Sequence, residues 1–220
     1  LIGKGHFVVI TAREKDITLP LLESFNIDYE LVGRNYSGIW GKIFGLFKFT
    51  KKIISIIKDF DADIIISHGS IYAAIASKWT HRYSICLEDT GNKEQVYLYK
   101  PFTNLILSPE NLKDSFGSKH IKYPSFHESA YLSPQEFVAD KSVLDELNLT
   151  EKDKYIIVRF VSRKSSHDMG ESRLSDFEKI RIVKRFEQFV KVYISSEEEL
   201  PAELQIYSFP SAISRIHHAM

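Results

Sequence analysis

The residues best suited to chemistry in this 220-residue chain stand directly after short apolar runs. His68-Gly69-Ser70 follows the run ADIIIS, and the adjacent carboxylates Glu88 and Asp89 follow the run YSICL. Either carboxylate could accept the proton of a hydroxyl group as a general base. Gly69 lets a ligand approach the backbone, and Ser70 could cap a helix whose N-terminus binds an anion or a sugar hydroxyl. The alternatives are a plain strand-to-helix turn at Ser70 and a turn in which Asp89 caps the next helix.

A second candidate pair, His127-Glu128, lies in the string YPSFHESAYLSP, which follows the last apolar run of the first half. These two residues could act as a base and an orienting acid. A structural loop rich in aromatic residues is the alternative interpretation. Arg13, in the string TARE near the first apolar run, is a further candidate for ligand binding.

The string RFVSRKSSHDMG combines cations with short hydroxyl side chains. Its first residue, Arg159, lies within an apolar run, and arginine is rarely buried there unless it is paired. The following cations and serines suit a diphosphate, because guanidinium groups, hydroxyls and backbone donors all bind phosphate oxygens. A basic surface loop is the alternative. The candidate binding residues of this half are Arg159, Arg163, Ser165, Ser166, His167, Ser195, Ser196 and Glu197.

The composition and the missing motifs exclude several classes of protein. Lys and Arg number 29, as do Asp and Glu, so no net charge would attract nucleic acid. The single cysteine, Cys86, excludes an internal disulfide, fits a reducing compartment and lies in an apolar run typical of a buried thiol. The chain has no GxxxxGKS/T loop, strand-linked GxGxxG, GxSxG, HExxH or paired CxxC motif, so the sequence predicts no metal site and no bound cofactor.

Alternation of apolar runs with helix-length stretches predicts an α/β fold with doubly wound parallel sheets. Ser175 and Glu178 form a capping-box pattern that opens one of the predicted helices. The predicted strands are His6–Thr11, Tyr29–Val32, Ala62–Ser67, Tyr83–Leu87, Asn104–Ser108, Tyr155–Val161 and Lys191–Ser195. The predicted helices lie near 15–25, 41–59, 70–79, 92–101, 142–149, 175–189 and 211–220.

The strand rhythm breaks between about 124 and 150 and then restarts, which predicts two Rossmann-like domains at 1–137 and 138–220. The first domain begins at a Gly-Lys-Gly-His turn, and the second holds only two predicted strands. Both domains therefore look truncated, the first lacking an initial strand and helix. Strand ends of the two domains that faced each other would form a ligand-binding cleft.

Residues 39–58 combine aromatic residues with lysines, a pattern found in helices that lie on anionic membranes. A core helix with a lysine-rich exposed side is the alternative. The chain has no continuous apolar segment of the about 20 residues that span a bilayer. We therefore expect a cytoplasmic protein, with peripheral membrane contact through residues 39–58 as an open alternative.

Five strings resemble an uncharacterised prokaryotic family named domain of unknown function 354: GHFVVITAREKD, YPSFHESAYL, SVLDELNL, YIIVRFVSRKSSHD and VYISSEEELPAEL. That family of archaea and bacteria is similar in outline to the glycosyltransferase MurG and to UDP-N-acetylglucosamine epimerase, which have the GT-B fold. The resemblance implies further segments before and after this chain, the later one binding most of the donor nucleotide, so we expect the chain alone to be inactive.

The resemblance implies a metal-independent glycosyltransferase that uses a nucleotide sugar as substrate. The donor diphosphate would lie near Arg163, Ser165, Ser166 and His167. The acceptor would lie against six residues of the first half: His68, Ser70, Glu88, Asp89, His127 and Glu128. Glu88 or Asp89 is the expected general base, followed by His127. The alternatives are an epimerase acting on the same class of sugar and a non-catalytic nucleotide-sugar-binding protein.

Overall fold

The computed structural model describes the chain apart from residues 15, 16, 35, 37, 136 and 162–173 and the side chains of residues 39 and 213. Short 3-10 helices occupy Ile2–Lys4, Ala202–Tyr207 and Ile213–Ala219. The other elements, in chain order, are β1 (Thr11–Glu14), α1 (Thr18–Ser24), β2 (Glu30–Arg34), α2 (Gly38–Phe60), β3 (Ile64–His68), α3 (Ile71–Thr80), β4 (Tyr83–Leu87), α4 (Lys93–Tyr99), β5 (Leu105–Pro109), β6 (His120–Tyr123), α5 (Ser129–Leu132), α6 (Ser142–Glu146), β7 (Tyr155–Phe160), α7 (Asp176–Glu187) and β8 (Lys191–Ser196).

The chain divides into two compact units, Leu1–Glu136 and Phe137–Met220. In the first unit β1 pairs with β2, and β3, β4, β5 and β6 form a sheet in that order. In the second unit β7 pairs with β8, and all the described strand pairs of both units are parallel. The predicted α/β class with parallel sheets is therefore confirmed.

Two strands differ from their predictions. Where the sequence predicts a strand at His6–Thr11, β1 instead spans Thr11–Glu14, because that segment pairs with β2 while Phe7 is 91% exposed. Strand β6 is absent from the predictions. Its sequence, HIKY, mixes polar and apolar residues, which is possible because its described ladder has β5 as the single partner.

The helices follow the predictions more closely. The capping box at α7 is confirmed, since the Ser175 hydroxyl accepts a hydrogen bond from the Glu178 amide and Glu178 accepts one from the Ser175 amide. The predicted C-terminal helix at 211–220 is a 3-10 helix over Ile213–Ala219.

A buried cluster packs two strands and two helices of the first unit together, including β4, which leads to Glu88 and Asp89. It joins α3, β4, α4 and β5 through six buried side chains: Ala74, Cys86, Val96, Tyr99, Ile106 and Phe116. Cys86 is fully buried, and burial raises the pKa of its thiol. The prediction of a buried thiol is therefore confirmed.

Helix α2 has two different halves. Its C-terminal half packs into a second core cluster, with buried side chains at Val32, Phe49, Ile53, Ile57 and Ala76. Its N-terminal half exposes three aromatic side chains: Trp40, Phe44 and Phe47. The core interpretation holds for the C-terminal half. Among the described helices, none has both the length and the apolar character needed to cross a membrane.

Candidate functional site

Three candidate side chains come from the carboxyl ends of neighbouring strands in the first unit. His68 ends β3, Asp89 follows β4, and His127 lies in the loop after β6. Because β3, β4, β5 and β6 are parallel and adjacent, their carboxyl ends meet at one edge of the sheet. Ligands of open α/β sheets gather at this edge, which makes it the candidate site.

The three side chains lie close to one another. His68 Nε2 is 3.0 Å from Asp89 Oδ1, and the rings of His68 and His127 meet edge to face with centroids 5.3 Å apart. One ligand-type atom from each of the three residues lies within 4.8 Å of the others. The His68 and Asp89 side chains are 51% and 33% exposed, so both are accessible to a ligand.

The two nitrogens of His127 have different surroundings. Nδ1 forms a short hydrogen bond with the Tyr123 hydroxyl. Nε2 is buried and has no hydrogen-bond partner among the described residues. An unsatisfied buried polar atom is costly, so a site that leaves one is a candidate for binding a ligand.

Tyr123 supports His127 and is itself in a negative environment. Burial raises the pKa of its phenol, and the carboxylates of Asp89 and Glu128 raise it further. Tyr123 therefore keeps its proton at neutral pH. Tyr123 was not among the residues predicted for the site; its position four residues before His127, at the end of a strand, was the available signal.

Glu88 is buried, and both of its carboxylate oxygens accept hydrogen bonds within the protein. It is 2% exposed, and its Oε1 accepts hydrogen bonds from the Thr90 amide at 2.9 Å, the Thr90 hydroxyl at 2.7 Å and the Gly91 amide at 3.0 Å. Its Oε2 accepts one from the Tyr99 hydroxyl at 2.7 Å. With four donors on its two oxygens, Glu88 holds the turn after β4, and Asp89 is the carboxylate of this pair that is accessible to a ligand.

The turn after β3 favours a glycine. Gly69 has φ +57°, and a Cβ there would lie 2.6 Å from Gln95 Nε2, which donates a hydrogen bond to the Gly69 carbonyl. Ser70 then caps α3 by accepting a hydrogen bond from the Ala73 amide. This turn brings His68 and the start of α3 to the same sheet edge.

Asp89 does not have the capping role that was its alternative interpretation. Helix α4 is capped by Asn92, whose side chain accepts a hydrogen bond from the Gln95 amide at 3.3 Å. The Asp89 carboxylate instead pairs with His68.

The other candidates of the first unit have different neighbours. The Arg13 guanidinium lies over the rings of Tyr72 and Phe49, 5.1 and 5.6 Å from their centroids. Glu128 is exposed at the start of α5 and makes no capping hydrogen bond there. Its influence on this edge of the sheet is electrostatic, through Tyr123.

In the second unit, Arg159 Nη2 donates a hydrogen bond to Glu197 Oε1 at 2.8 Å, and the two side chains are 63% and 40% exposed. Arg159 is thus paired, as the sequence suggested for a buried arginine, but it is exposed. The Ser196 hydroxyl donates to the Glu198 carbonyl, and Ser195 is half-buried beside it at the end of β8. The remaining candidates, Arg163, Ser165, Ser166 and His167, lie outside the described residues.

No protein-family model matches the chain, and no curated protein matches it. The resemblance to domain of unknown function 354 therefore has no support from a family model.

Solved structures do match the chain. A protein from Listeria monocytogenes described as a UDP-N-acetylglucosamine 2-epimerase has a TM-score of 0.55 at 15% identity, over 91% of this chain and 56% of that one. The Neisseria meningitidis UDP-GlcNAc 2-epimerase bound to UDP-GlcNAc has a TM-score of 0.55 at 14% identity, over 91% and 59%. The Methanocaldococcus jannaschii UDP-GlcNAc 2-epimerase has a TM-score of 0.53 at 11% identity, over 96% and 75%.

At these identities the likeness shows the fold alone, and it confirms the predicted GT-B-like class. The chain spans 56% of the length of the Listeria protein and 59% of that of the Neisseria enzyme.

Proposed function

We propose that this chain is part of a nucleotide-sugar enzyme of the GT-B type that transfers a glycosyl group to a hydroxyl. One observation carries the proposal: the His68–Asp89 pair stands beside the unsatisfied Nε2 of His127 at the carboxyl edge of a parallel sheet. A carboxylate held by a histidine and accessible to a ligand is suited to accept a proton.

In the proposed reaction Asp89 is the general base. The acceptor hydroxyl gives its proton to the Asp89 carboxylate, while its oxygen forms a bond to the anomeric carbon of the sugar. The bond between that carbon and the diphosphate oxygen breaks, and the nucleoside diphosphate leaves with the electron pair. The His68 imidazole, 3.0 Å from Asp89, orients the carboxylate, and His127 Nε2 hydrogen-bonds the sugar or the acceptor.

The donor class is proposed from the fold and from the second unit. The similar Neisseria epimerase binds UDP-GlcNAc, which supports a nucleotide sugar as the ligand here. Cations and backbone donors stabilise a departing diphosphate. We assign that role to Arg163 with Ser165, Ser166 and His167, with Arg159 and the serines after β8 as additional groups.

An epimerase is the second candidate, because the similar solved structures named above carry that description. The same base could remove a proton from the sugar carbon next to the anomeric centre. No acceptor is needed for that reaction, so a single assay separates the two candidates.

The test incubates a longer protein that contains this chain with UDP-GlcNAc and with GDP- and TDP-sugars, and follows the sugar and the phosphates by proton and phosphorus nuclear magnetic resonance. Release of nucleoside diphosphate supports transfer, including slow transfer to water, and an epimerised sugar supports the alternative. We expect Asp89→Asn to lower the rate about 100-fold or more, the usual range for loss of a general base.

Asp28→Asn is the matched control, because Asp28 is an exposed carboxylate in the loop before β2 of the same unit. It should leave the rate unchanged. Equal rates for Asp89→Asn and the unaltered protein would contradict the assignment of Asp89. Binding of the sugar without turnover, in this chain and in a longer protein that contains it, would favour the non-catalytic alternative.

We also propose that the N-terminal half of α2 contacts an anionic membrane surface. Its exposed aromatic side chains lie among exposed lysines, a combination that binds the interface of such membranes. Sedimentation with vesicles of phosphatidylglycerol and phosphatidylcholine tests this. Trp40→Ser should lower binding, whereas Trp79→Ser, which changes an exposed tryptophan of α3, should not.

A further inference from the structure

We propose that His68, Asp89 and His127 bind a divalent transition-metal ion, and that Zn²⁺ is the ion that fits the site. The three residues come from three separate segments of the first unit, yet one ligand-type atom of each lies within 4.8 Å of the others. Two imidazoles and one carboxylate are a donor set that zinc uses in proteins.

The distances are close to those of a metal site. Zinc binds nitrogen and oxygen ligands at about 2.0 to 2.2 Å, which places ligands of a tetrahedral site about 3.3 to 3.5 Å apart. His68 Nε2 and Asp89 Oδ1 are already 3.0 Å apart, because they share one hydrogen bond. An ion would replace the shared proton, and His127 would close on it by a shift on the order of 1 Å.

His127 supplies the second, independent observation. Its Nε2 is buried and has no partner among the described residues, so one nitrogen is available to an ion without breaking any described contact. Its Nδ1 is held by the Tyr123 hydroxyl. Metal-binding histidines regularly have their other ring nitrogen fixed by such a contact, which sets the tautomer and the orientation of the ring.

The donor set selects among ions. Imidazole nitrogen suits Zn²⁺, Ni²⁺ and Cu²⁺, whereas Mg²⁺ and Ca²⁺ prefer a shell made of oxygen ligands. Three protein ligands leave one coordination position of a tetrahedral ion for water or a ligand. The exposure of the His68 and Asp89 side chains gives the ion a path from solvent.

The ion would also affect the reaction proposed above, and this consequence rests on that proposed function. A metal ion coordinated by Asp89 and His68 would bind the carboxylate lone pair with which Asp89 accepts a proton. Zn²⁺ would therefore inhibit a metal-independent transfer or epimerisation. Binding of the ion does not depend on the reaction, so the two claims can fail separately.

The test is isothermal titration of the untagged 220-residue chain with ZnCl₂, followed by Co²⁺ as a visible-absorption probe. We expect one bound ion in the first unit and the absorption of a tetrahedral nitrogen–oxygen site with Co²⁺. Asp89→Asn, His68→Gln and His127→Gln should each weaken binding by more than about 100-fold. Tyr123→Phe should weaken it by about 10-fold, in the range seen when a supporting contact is lost.

Two controls separate this site from weaker binding elsewhere. The double variant His217→Gln, His218→Gln removes the adjacent histidines near the C-terminus, and it should leave the affinity unchanged. MgCl₂ should give no binding at the same concentrations. Far-ultraviolet circular dichroism verifies that each variant is folded, which is expected because the His68 and Asp89 side chains are partly exposed.

Absence of zinc binding by the unaltered chain would overturn the proposal. Unchanged affinity in the three ligand variants, or its loss in the His217, His218 double variant, would do so as well. Zinc could also bind at His68, Asp89 and His127 without affecting turnover of a nucleotide sugar. That outcome would support the metal site and contradict the proposed role of Asp89 as general base.

Discussion

Ionisable side chains follow parallel strands in both units, but their surroundings differ. In the first unit, His68, Asp89 and His127 converge from three segments, and one buried nitrogen has no described partner. In the second, Arg159 and Glu197 form an ion pair on an exposed surface. Position at a strand end therefore does not by itself make a site. A ligand can bind where the fold leaves hydrogen-bond donors or acceptors without a partner.

The same contrast exists between two consecutive residues. Glu88 and Asp89 are chemically equivalent in the sequence, yet Glu88 accepts four hydrogen bonds in a buried turn and Asp89 shares an accessible pair with His68. We propose that Glu88 stabilises the fold and that Asp89 takes part in the reaction. Substitutions that measure both properties can separate these roles.

The largest effect on stability is expected from Glu88→Ala. The change leaves the Thr90 and Gly91 amides and the Tyr99 hydroxyl without their acceptor, and we expect it to lower the free energy of unfolding by about 3 kcal/mol. Urea unfolding followed by circular dichroism measures this. Asp89→Ala, the neighbouring control, should change stability by no more than about 0.5 kcal/mol. Equal losses in the two variants would remove the distinction between the carboxylates.

A smaller effect is expected from Tyr99→Phe. The Tyr99 hydroxyl donates to Glu88 at 2.7 Å, and burial followed by that hydrogen bond raises the pKa of the phenol, so the hydroxyl stays protonated. Loss of one hydrogen bond to a charged group should cost about 1.5 to 2 kcal/mol by the same urea assay. Tyr97→Phe is the control, because Tyr97 is exposed on the same helix. If Tyr99→Phe lowered the free energy of unfolding by less than Tyr97→Phe does, the hydrogen bond from Tyr99 to Glu88 would not stabilise the fold.

The sequence predicted the elements of the first unit better than it predicted the site. Apolar runs locate β4 without error and β3 to within two residues, because strands of parallel sheets are rich in apolar and β-branched residues. The sequence also placed His68 and Asp89 at strand ends, and it selected His127 only as part of a loop. It could not separate Glu88 from Asp89, because their difference depends on Tyr99 eleven residues away and on the conformation of one turn.

The sequence also did not predict that His68, Asp89 and His127 lie close together. Motif searches look for ligands at fixed short spacings, whereas these three residues are separated by 21 and 38 positions and meet through sheet order. Strand β6, which leads to His127, was missed because an edge strand need not be apolar throughout.

A comparison of two histidines gives a pH prediction of smaller size. Unlike His127, His120 has both ring nitrogens occupied: Nδ1 accepts from the Phe116 amide at 3.1 Å, and Nε2 lies 2.7 Å from the Ser108 hydroxyl. Burial, and then the charge of Lys122, lower the pKa of His120. The unfolded chain therefore takes up a proton at higher pH than the folded chain does.

The contribution of His120 to stability is thus fully present above the unfolded pKa of about 6.5 and is lost as the pH falls towards the folded value. Urea midpoints of the unaltered protein should fall between pH 7.5 and pH 5.5. The fall should be smaller in His120→Gln, whose side chain does not titrate. An identical fall in the variant would assign the pH dependence to other groups.

The smallest effect is expected at the strand ends of the second unit. Arg159 and Glu197 form an exposed ion pair at 2.8 Å, and such pairs contribute between about 0 and 1 kcal/mol. Arg159→Ala and Glu197→Ala should each lower the free energy of unfolding by less than about 1 kcal/mol, and the double variant should reveal the coupling between them. Raising the salt concentration should reduce that coupling, because solvent ions screen exposed charges. A coupling above about 2 kcal/mol would mean that water solvates this pair less than its exposure indicates. The strand ends of the two units would then differ only in the unsatisfied nitrogen of His127.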